Sequence, residues 1–285
     1  MYQFPIGAIV ESFRMETHEA IKTAAKMGLN GLQMYCTKGI HAPENFSKED
    51  RRELLKFTKD LGLRFSAICG DLGRGFGNPE LNPELIEKSK RILDLALDFE
   101  TDVVTTHIGV VPEDKNHPRY QIMQQACYEL ASYADSINAH FAIETGPERS
   151  EVLRDFLDSL GSTGVGVNLD PANLVMVTGD DPVNAVHNLK KYIVHTHAKD
   201  GNKLADLAPE YVYGVLHPVP EEFKGVKLFE EVPLGTGSVD FPKYLAALEE
   251  IGYRGFLTIE REVGDDPAAD ILTAKNHLTD IIKAN

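Results

Sequence analysis

No run of Lys or Arg longer than two residues occurs in the 285-residue chain, and 29 Lys and Arg stand against 44 Asp and Glu, a formal charge of −15 at pH 7. A surface this acidic repels a phosphate backbone unless it carries a local basic stripe, so nucleic acid is not an expected partner. Long apolar runs are missing too. None approaches the roughly 20 residues of a membrane span, and Met1-Tyr2-Gln3-Phe4-Pro5 opens no basic segment followed by an apolar stretch. The expectation is a protein without a membrane partner or targeting segment, located in the cytoplasm. Cysteine is scarce: Cys36, Cys69 and Cys127 are an odd number at wide spacing, which builds neither a disulfide framework nor a C-x-x-C knuckle and fits a reducing compartment. No Pro/Gly/Ser-rich linker breaks the chain, so one domain is expected over residues 1–285. At 42% hydrophobic and 26% charged, the composition is that of an ordinary globular protein with one large core.

What is present is an alternation. Eight short β-branched or aromatic runs read as strands: Ile6 to Val10, Gly31 to Cys36, Arg64 to Cys69, Asp102 to Ile108, His140 to Glu144, Val165 to Leu169, Tyr192 to His197 and Gly255 to Glu260. Between them lie patterns of helical spacing. Tyr120 to Asn138 places Ile122, Ala126, Leu130, Ala134 and Ile137 on one face, and Ile271, Ala274, Leu278 and Ile281 mark a terminal helix. Thr17, Ser47 with Asp50 three residues on, and Asn82 before Pro83 read as helix starts. Eight units of about 36 residues match a single closed (β/α)8 TIM barrel better than an open doubly wound sheet. A doubly wound sheet would also carry a glycine fingerprint after its first strand, where Val10-Glu11-Ser12-Phe13 has none. The glycines of Gly70-x-x-Gly73-x-Gly75-x-Gly77 have the wrong spacing for that fingerprint and read as a flexible loop, with phosphate contact the minor alternative. The stretch 201–232 is a long βα loop without firm periodicity, of the kind that covers a site.

A (β/α)8 barrel puts its chemistry at the C-terminal ends of the strands. Here the fifth run ends on Glu144, the sixth on Asp170, the seventh carries His195 and His197 two apart on one face, and the eighth ends on Glu260. A single polar residue at a strand end is ordinarily an end marker. Four in succession, on strands about 4.8 Å apart, crowd three carboxylates and an imidazole into one mouth. Such crowding requires raised pKa values or a cation. One divalent metal ion is the simplest compensation, and an O₃N set of Glu144, Asp170, His197 and Glu260 suits Mn²⁺ first, with Mg²⁺, Co²⁺ or Zn²⁺ as alternatives.

Ala142-Ile143-Glu144-Thr145, Asn168-Leu169-Asp170-Pro171-Ala172-Asn173, His197-Ala198-Lys199-Asp200, Pro233-Leu234-Gly235-Thr236-Gly237-Ser238-Val239-Asp240 and Ile259-Glu260 together resemble the xylose isomerase-like TIM barrels of the sugar phosphate isomerase/epimerase family, relatives of ketose 3-epimerases, inosose dehydratases and hydroxypyruvate isomerases. The resemblance runs over most of the chain. It implies Glu144, Asp170, His197 and Glu260 as ligands of one ion, with Glu144 and Glu260 also moving protons. The implied reaction is isomerisation or epimerisation of a sugar or sugar derivative by proton abstraction next to a carbonyl, through a metal-stabilised enediolate. A lyase or dehydratase acting on a keto-sugar or keto-inositol at the same site is the alternative, and an endonuclease IV-like nucleic-acid enzyme a more remote one. A homo-oligomer is a family-based expectation.

The chain departs from ketose 3-epimerases in having Asn173 where a His is typical and Lys199 and Lys203 where an Arg is typical. Asn173 is read as a ligand of substrate hydroxyls. Lys199 holds an anionic or carbonyl group of the substrate or pairs with Asp200. The zinc-binding histidines of endonuclease IV are incomplete, since no D-x-H follows His197. His107 is assigned to the substrate pocket, with a buried structural role as its alternative, and His195 to the core or to orienting a ligand. Glu11, Gln33, Tyr35 and Asp71 are further residues of the mouth, Glu11 among those taken to bind substrate.

Overall fold

The computed structural model describes residues 2–285. Eight parallel strands close into a barrel: β1 (Ile6–Ile9), β2 (Gly31–Tyr35), β3 (Arg64–Cys69), β4 (Val103–Thr106), β5 (His140–Glu144), β6 (Val165–Leu169), β7 (Ile193–Ala198) and, after the two-stranded insertion described below, β10 (Leu257–Ile259). Each pairs with its sequence neighbour around the ring, and β1 closes it on β10, with Ile6 opposite Leu257. These are the eight runs expected from the sequence, with ends shifted by at most two residues. Helices α1 (Thr17–Lys26), α2 (Lys48–Asp60), α3 (Asn82–Asp98), α4 (Pro118–Ser136), α5 (Ser150–Leu160), a short α6 (Pro171–Asn173) and α7 (Pro182–Leu189) connect them in order. The main core lies between strands and helices, where Phe141, Ile143, Val167 and Leu169 meet Leu130, Leu153 and Phe156. Among the described residues no helix is long and apolar enough to cross a membrane.

Local details differ from the sequence reading for physical reasons. Ser47 caps α2 as expected, its side chain accepting from Asp50 N, but α1 is capped by Glu16, whose carboxylate accepts from His18 N. Asn82 is the first residue of α3 rather than its cap, and its side-chain amide donates to Phe76 O at 3.0 Å, tying the glycine-rich loop to the helix. On α4 the buried stripe is Met123, Ala126, Cys127, Leu130, Ala131 and Ala134, one position round from Ile122.

The segment after β7 contains a two-stranded antiparallel sheet, β8 (Asp200–Lys203) with β9 (Phe229–Val232), and a short α8 (Pro209–Val212) between them. Asp200 anchors it. One oxygen accepts from Gly201 N and Val239 N, the other from Gly235 N and Gly237 N, at 2.9–3.1 Å. A Cβ at Gly237 would collide with this carboxylate, which explains the glycine in Pro233-Leu234-Gly235-Thr236-Gly237. Helices α9 (Phe241–Glu250) and α10 (Pro267–Ala284) complete the chain, flanking β10.

Candidate active site

Glu144, Asp170, His197 and Glu260 are all buried at the C-terminal mouth of the barrel, and one ligand atom from each lies within 4.8 Å of the others. His197 Nδ1 is the hub: Glu260 Oε2 is 3.3 Å away, Glu144 Oε1 3.4 Å and Asp170 Oδ2 3.5 Å. The strands dictate this convergence. Glu144 is the last residue of β5, His197 the fifth of β7 and Glu260 the first after β10, while Asp170 leaves β6 as the cap of α6.

Asp170 tests whether the cluster suits a cation. Its Oδ1 accepts from Ala172 N at 2.8 Å and Asn173 N at 2.9 Å, and its backbone exchanges hydrogen bonds with the Thr145 hydroxyl. Its Oδ2 is buried and has no hydrogen-bond partner. A buried carboxylate oxygen without a donor is costly unless something positive occupies the space before it. His197 points the same way. Its Nε2 lies 3.0 Å from Gln33 Oε1, and the Gln33 amide nitrogen donates to Thr105 Oγ1 at 3.2 Å, so the Gln33 oxygen faces the imidazole and accepts from Nε2–H. Burial opposes its charge, but Glu144 and Glu260 hold the His197 pKa well above the usual value, so without an ion Nδ1 carries a proton toward the three carboxylate oxygens, and with Nε2–H held by Gln33 it is Nδ1 that would give up its proton to a metal ion. The donor set therefore fits one divalent ion.

Electrostatics within the protein follow from the crowding. Burial pushes the Asp170 carboxyl up. Burial also opposes ionisation of Glu144 and Glu260, but His107 and His197 hold the first below the usual range, and Lys199 and His197 hold the second well below it. Beneath the cluster lies a neutral network. Burial drives the His195 pKa well down, its Nδ1 donates to Asn168 Oδ1 at 2.8 Å, and Asn168 Nδ2 donates to Glu144 Oε2 at 3.1 Å. On its other side His195 Nε2 meets the hydroxyls of Thr258 and Ser66 at 2.9 and 3.3 Å. His195 thus orients Glu144 through Asn168.

A cavity of about 790 Å³ opens above the cluster, bordered by Glu144 and Glu260. His107, Asn173 and Lys199 line it as well. Asn173 Nδ2 donates to Glu144 Oε1 at 3.1 Å. His107 spans Asp71 Oδ2 (Nδ1, 3.2 Å) and Glu144 Oε1 (Nε2, 3.5 Å), and these carboxylates raise its pKa to about 10, Glu144 contributing most. Lys199 is buried against Glu260 Oε2 at 3.0 Å and Glu262 Oε2 at 2.5 Å, not against Asp200. Glu11 lies apart. It borders a second cavity of about 620 Å³ between the loops after β1 and β2, and accepts from Tyr35 N at 3.2 Å. Tyr35, Glu260 and Glu262 border both cavities.

Three participants escape a reading of strand ends. Asn168 is hidden inside an apolar strand, although its spacing two before Asp170 puts it on the same face. Glu231, on β9, salt-bridges Arg261 at 2.6 Å and approaches Lys199 at 3.9 Å, joining the inserted segment to the mouth. Arg119 reaches the cavity from the first turn of α4.

Comparison with known proteins places this geometry. The model of the xylose isomerase-like TIM barrel family matches residues 21–281. L-ribulose-5-phosphate 3-epimerase UlaE of Escherichia coli (strain SMS-3-5 / SECEC) is 24% identical over 277 residues, covering 90% of this chain and 87% of its own. Among solved structures, a xylose isomerase domain protein from Planctomyces limnophilus superposes with a TM-score of 0.79 at 26% identity, covering 99% of this chain and 98% of that one. The IOLI protein with a bound zinc atom superposes with a TM-score of 0.75 at 15% identity, covering 99% of both chains. A closed barrel with a carboxylate and histidine cluster at its mouth, matched by the family model over nearly its whole length, makes this chain an enzyme belonging to the xylose isomerase-like TIM barrel family.

Proposed function

We propose that the protein is a divalent-metal-dependent isomerase or epimerase of a sugar or sugar derivative, moving a proton on the carbon next to a carbonyl. The observation that carries this reading is the buried convergence of Glu144, Asp170, His197 and Glu260, with the orphaned Asp170 Oδ2 at its centre. These four residues would hold the ion, Mn²⁺ first among divalent ions, with Mg²⁺, Co²⁺ and Zn²⁺ as alternatives. When bound, the ion supplies Lewis-acid stabilisation of the negative charge that develops on the carbonyl oxygen.

The chain's own groups handle the proton. Lys199 holds Glu260 ionised, and the structure gives Glu260 Oε1 no hydrogen-bond partner among the described residues, so this oxygen is available to take the carbon-bound proton. Glu144 delivers a proton to the other face. Its own ionised state requires that proton to come from a neighbour, and His107, with Nε2 3.5 Å from Glu144 Oε1, is placed to pass it on. Asn173, whose amide nitrogen donates to Glu144 Oε1 and Thr145 O, presents its Oδ1 as an acceptor to a substrate hydroxyl. The inserted segment contributes Tyr213, Val215 and Phe229 to the cavity wall. The likeness to a ketose phosphate 3-epimerase supports chemistry beside a keto group.

The test is incubation of the metal-loaded enzyme with ketoses, their phosphates and keto-inositols in D₂O. Deuterium in recovered substrate or in a product of otherwise unchanged mass supports the reading, and Glu260→Gln should abolish it. A product lighter by water would assign the site to a dehydratase instead.

A further inference from the structure

Of the cavity's basic groups, Lys199 is consumed by Glu260 and Glu262, whereas Arg119 has no acidic partner among the described residues. Its Nε donates to Val110 O at 3.0 Å, but neither terminal nitrogen has a hydrogen bond or an acidic partner among the described residues. Burial depresses its pKa with no carboxylate to counter it. In a chain with 44 acids, a half-buried guanidinium that borders a cavity and is paired with none of them is an unfilled site.

The surrounding backbone is built to admit the guanidinium. A Cβ at Gly77 would overlap Nη1, and one at Gly109 would lie 2.8 Å from Nη2. Gly73 and Gly75 have φ of +69° and +59°, and Phe76 N donates to Ile108 O at 2.9 Å, so the loop after β3 is folded against the loop after β4. Arg74, between the two left-handed glycines, lines the same cavity and has no ion pair among the described residues. The acids lining the cavity come from β5 onward, except Asp71, which is engaged by His107.

We propose that Arg119, assisted by Arg74, is the specificity-determining residue for a terminal phosphoryl group, held in the cavity while the substrate's oxygenated carbons lie at the four-residue cluster. Two unoccupied nitrogens of one planar guanidinium match two phosphoryl oxygens. This rests on the proposed function only for what lies at the cluster end.

Unreactive ligands separate the two ideas. Calorimetry with metal-loaded protein compares a five-carbon polyol with its terminal phosphate monoester and with the matching terminal carboxylate. Wild type should bind the phosphate at least tenfold more tightly than the polyol. Arg119→Met should reduce that preference to under twofold while leaving polyol binding unchanged, and Arg119→Lys should keep an intermediate preference. Arg119→Gln serves in place of the Met variant if circular dichroism shows the latter unfolded. Wild type that binds phosphate and polyol alike, or neither, overturns the proposal, as does a variant that keeps the preference; a carboxylate bound more tightly than the phosphate overturns the phosphoryl assignment. Absent deuterium exchange with an intact phosphate preference would sink the reaction and spare the subsite.

Discussion

Replacing Asp170 by Asn separates the metal account from a purely structural one. The change is nearly isosteric and keeps the Oδ1 acceptor for Ala172 N and Asn173 N, so the turn into α6 survives. What it removes is one negative charge. At the 4.8 Å limit of the cluster and an effective dielectric of 20, each carboxylate pair costs about 3.5 kcal/mol, so Asp170 accounts for about 7 kcal/mol of repulsion with Glu144 and Glu260. Against this, a protonated His197 at 3.5 Å returns about 5 kcal/mol, and Lys199 contributes further attraction. Relief of the burial penalty, the main cause of the raised carboxyl, adds to this, so the net gain from neutralising the residue is at least about 1–2 kcal/mol in the metal-free protein. For a chain of this size each kcal/mol moves the melting temperature by about 2 °C, so Asp170→Asn in chelator should melt at least about 2–4 °C above wild type. A divalent ion at 1,000 times its Kd should raise the wild-type melting point by about 8 °C, from about 4.1 kcal/mol of linkage, and the variant's by almost nothing. Differential scanning calorimetry with and without Mn²⁺ measures all four values. A variant that melts below wild type in chelator and still responds fully to the ion would refute the reasoning.

Gln33→Leu removes the acceptor for His197 Nε2–H while preserving volume, and metal affinity should fall about 10–100-fold, measured by chelator competition; an unchanged affinity would mean that Gln33 does not set the tautomer. Glu148 is buried near the loop after β4, and burial pushes its carboxyl up to about 8. A raised acid binds its proton more tightly folded than unfolded, so this group's contribution to stability falls as pH climbs from the unfolded value near 4.5 through about 8. Glu148→Gln should therefore match wild type near pH 5 and exceed it at pH 8 in urea midpoints, and identical pH slopes would contradict the assignment.

The fold was legible because a barrel strand covered on its outer face must be apolar there, and runs such as Ala142-Ile143-Glu144 carry that demand in consecutive residues. The cluster was legible for the complementary reason, that a charge directly after such a run has few places to go but the mouth. Asp200–Lys203 escaped because a polar Asp-Gly-Asn-Lys strand shows no apolar alternation and pairs with a partner some 30 residues away. Arg119 escaped because nothing along the chain says that Gly77 and Gly109, from two different loops, open the space it fills. The roles of Gln33 and Asn168 likewise depend on which side-chain amide atom faces which ring, a property of the assembled barrel.

Metal stoichiometry tests the central claim most directly. After saturation with Mn²⁺ and exhaustive dialysis, elemental analysis should find one ion per chain in wild type and less than about a tenth in His197→Ala, whose remaining carboxylates lack the nitrogen at the hub. A wild-type chain that retains none, or a His197→Ala chain that retains as much, would contradict the account.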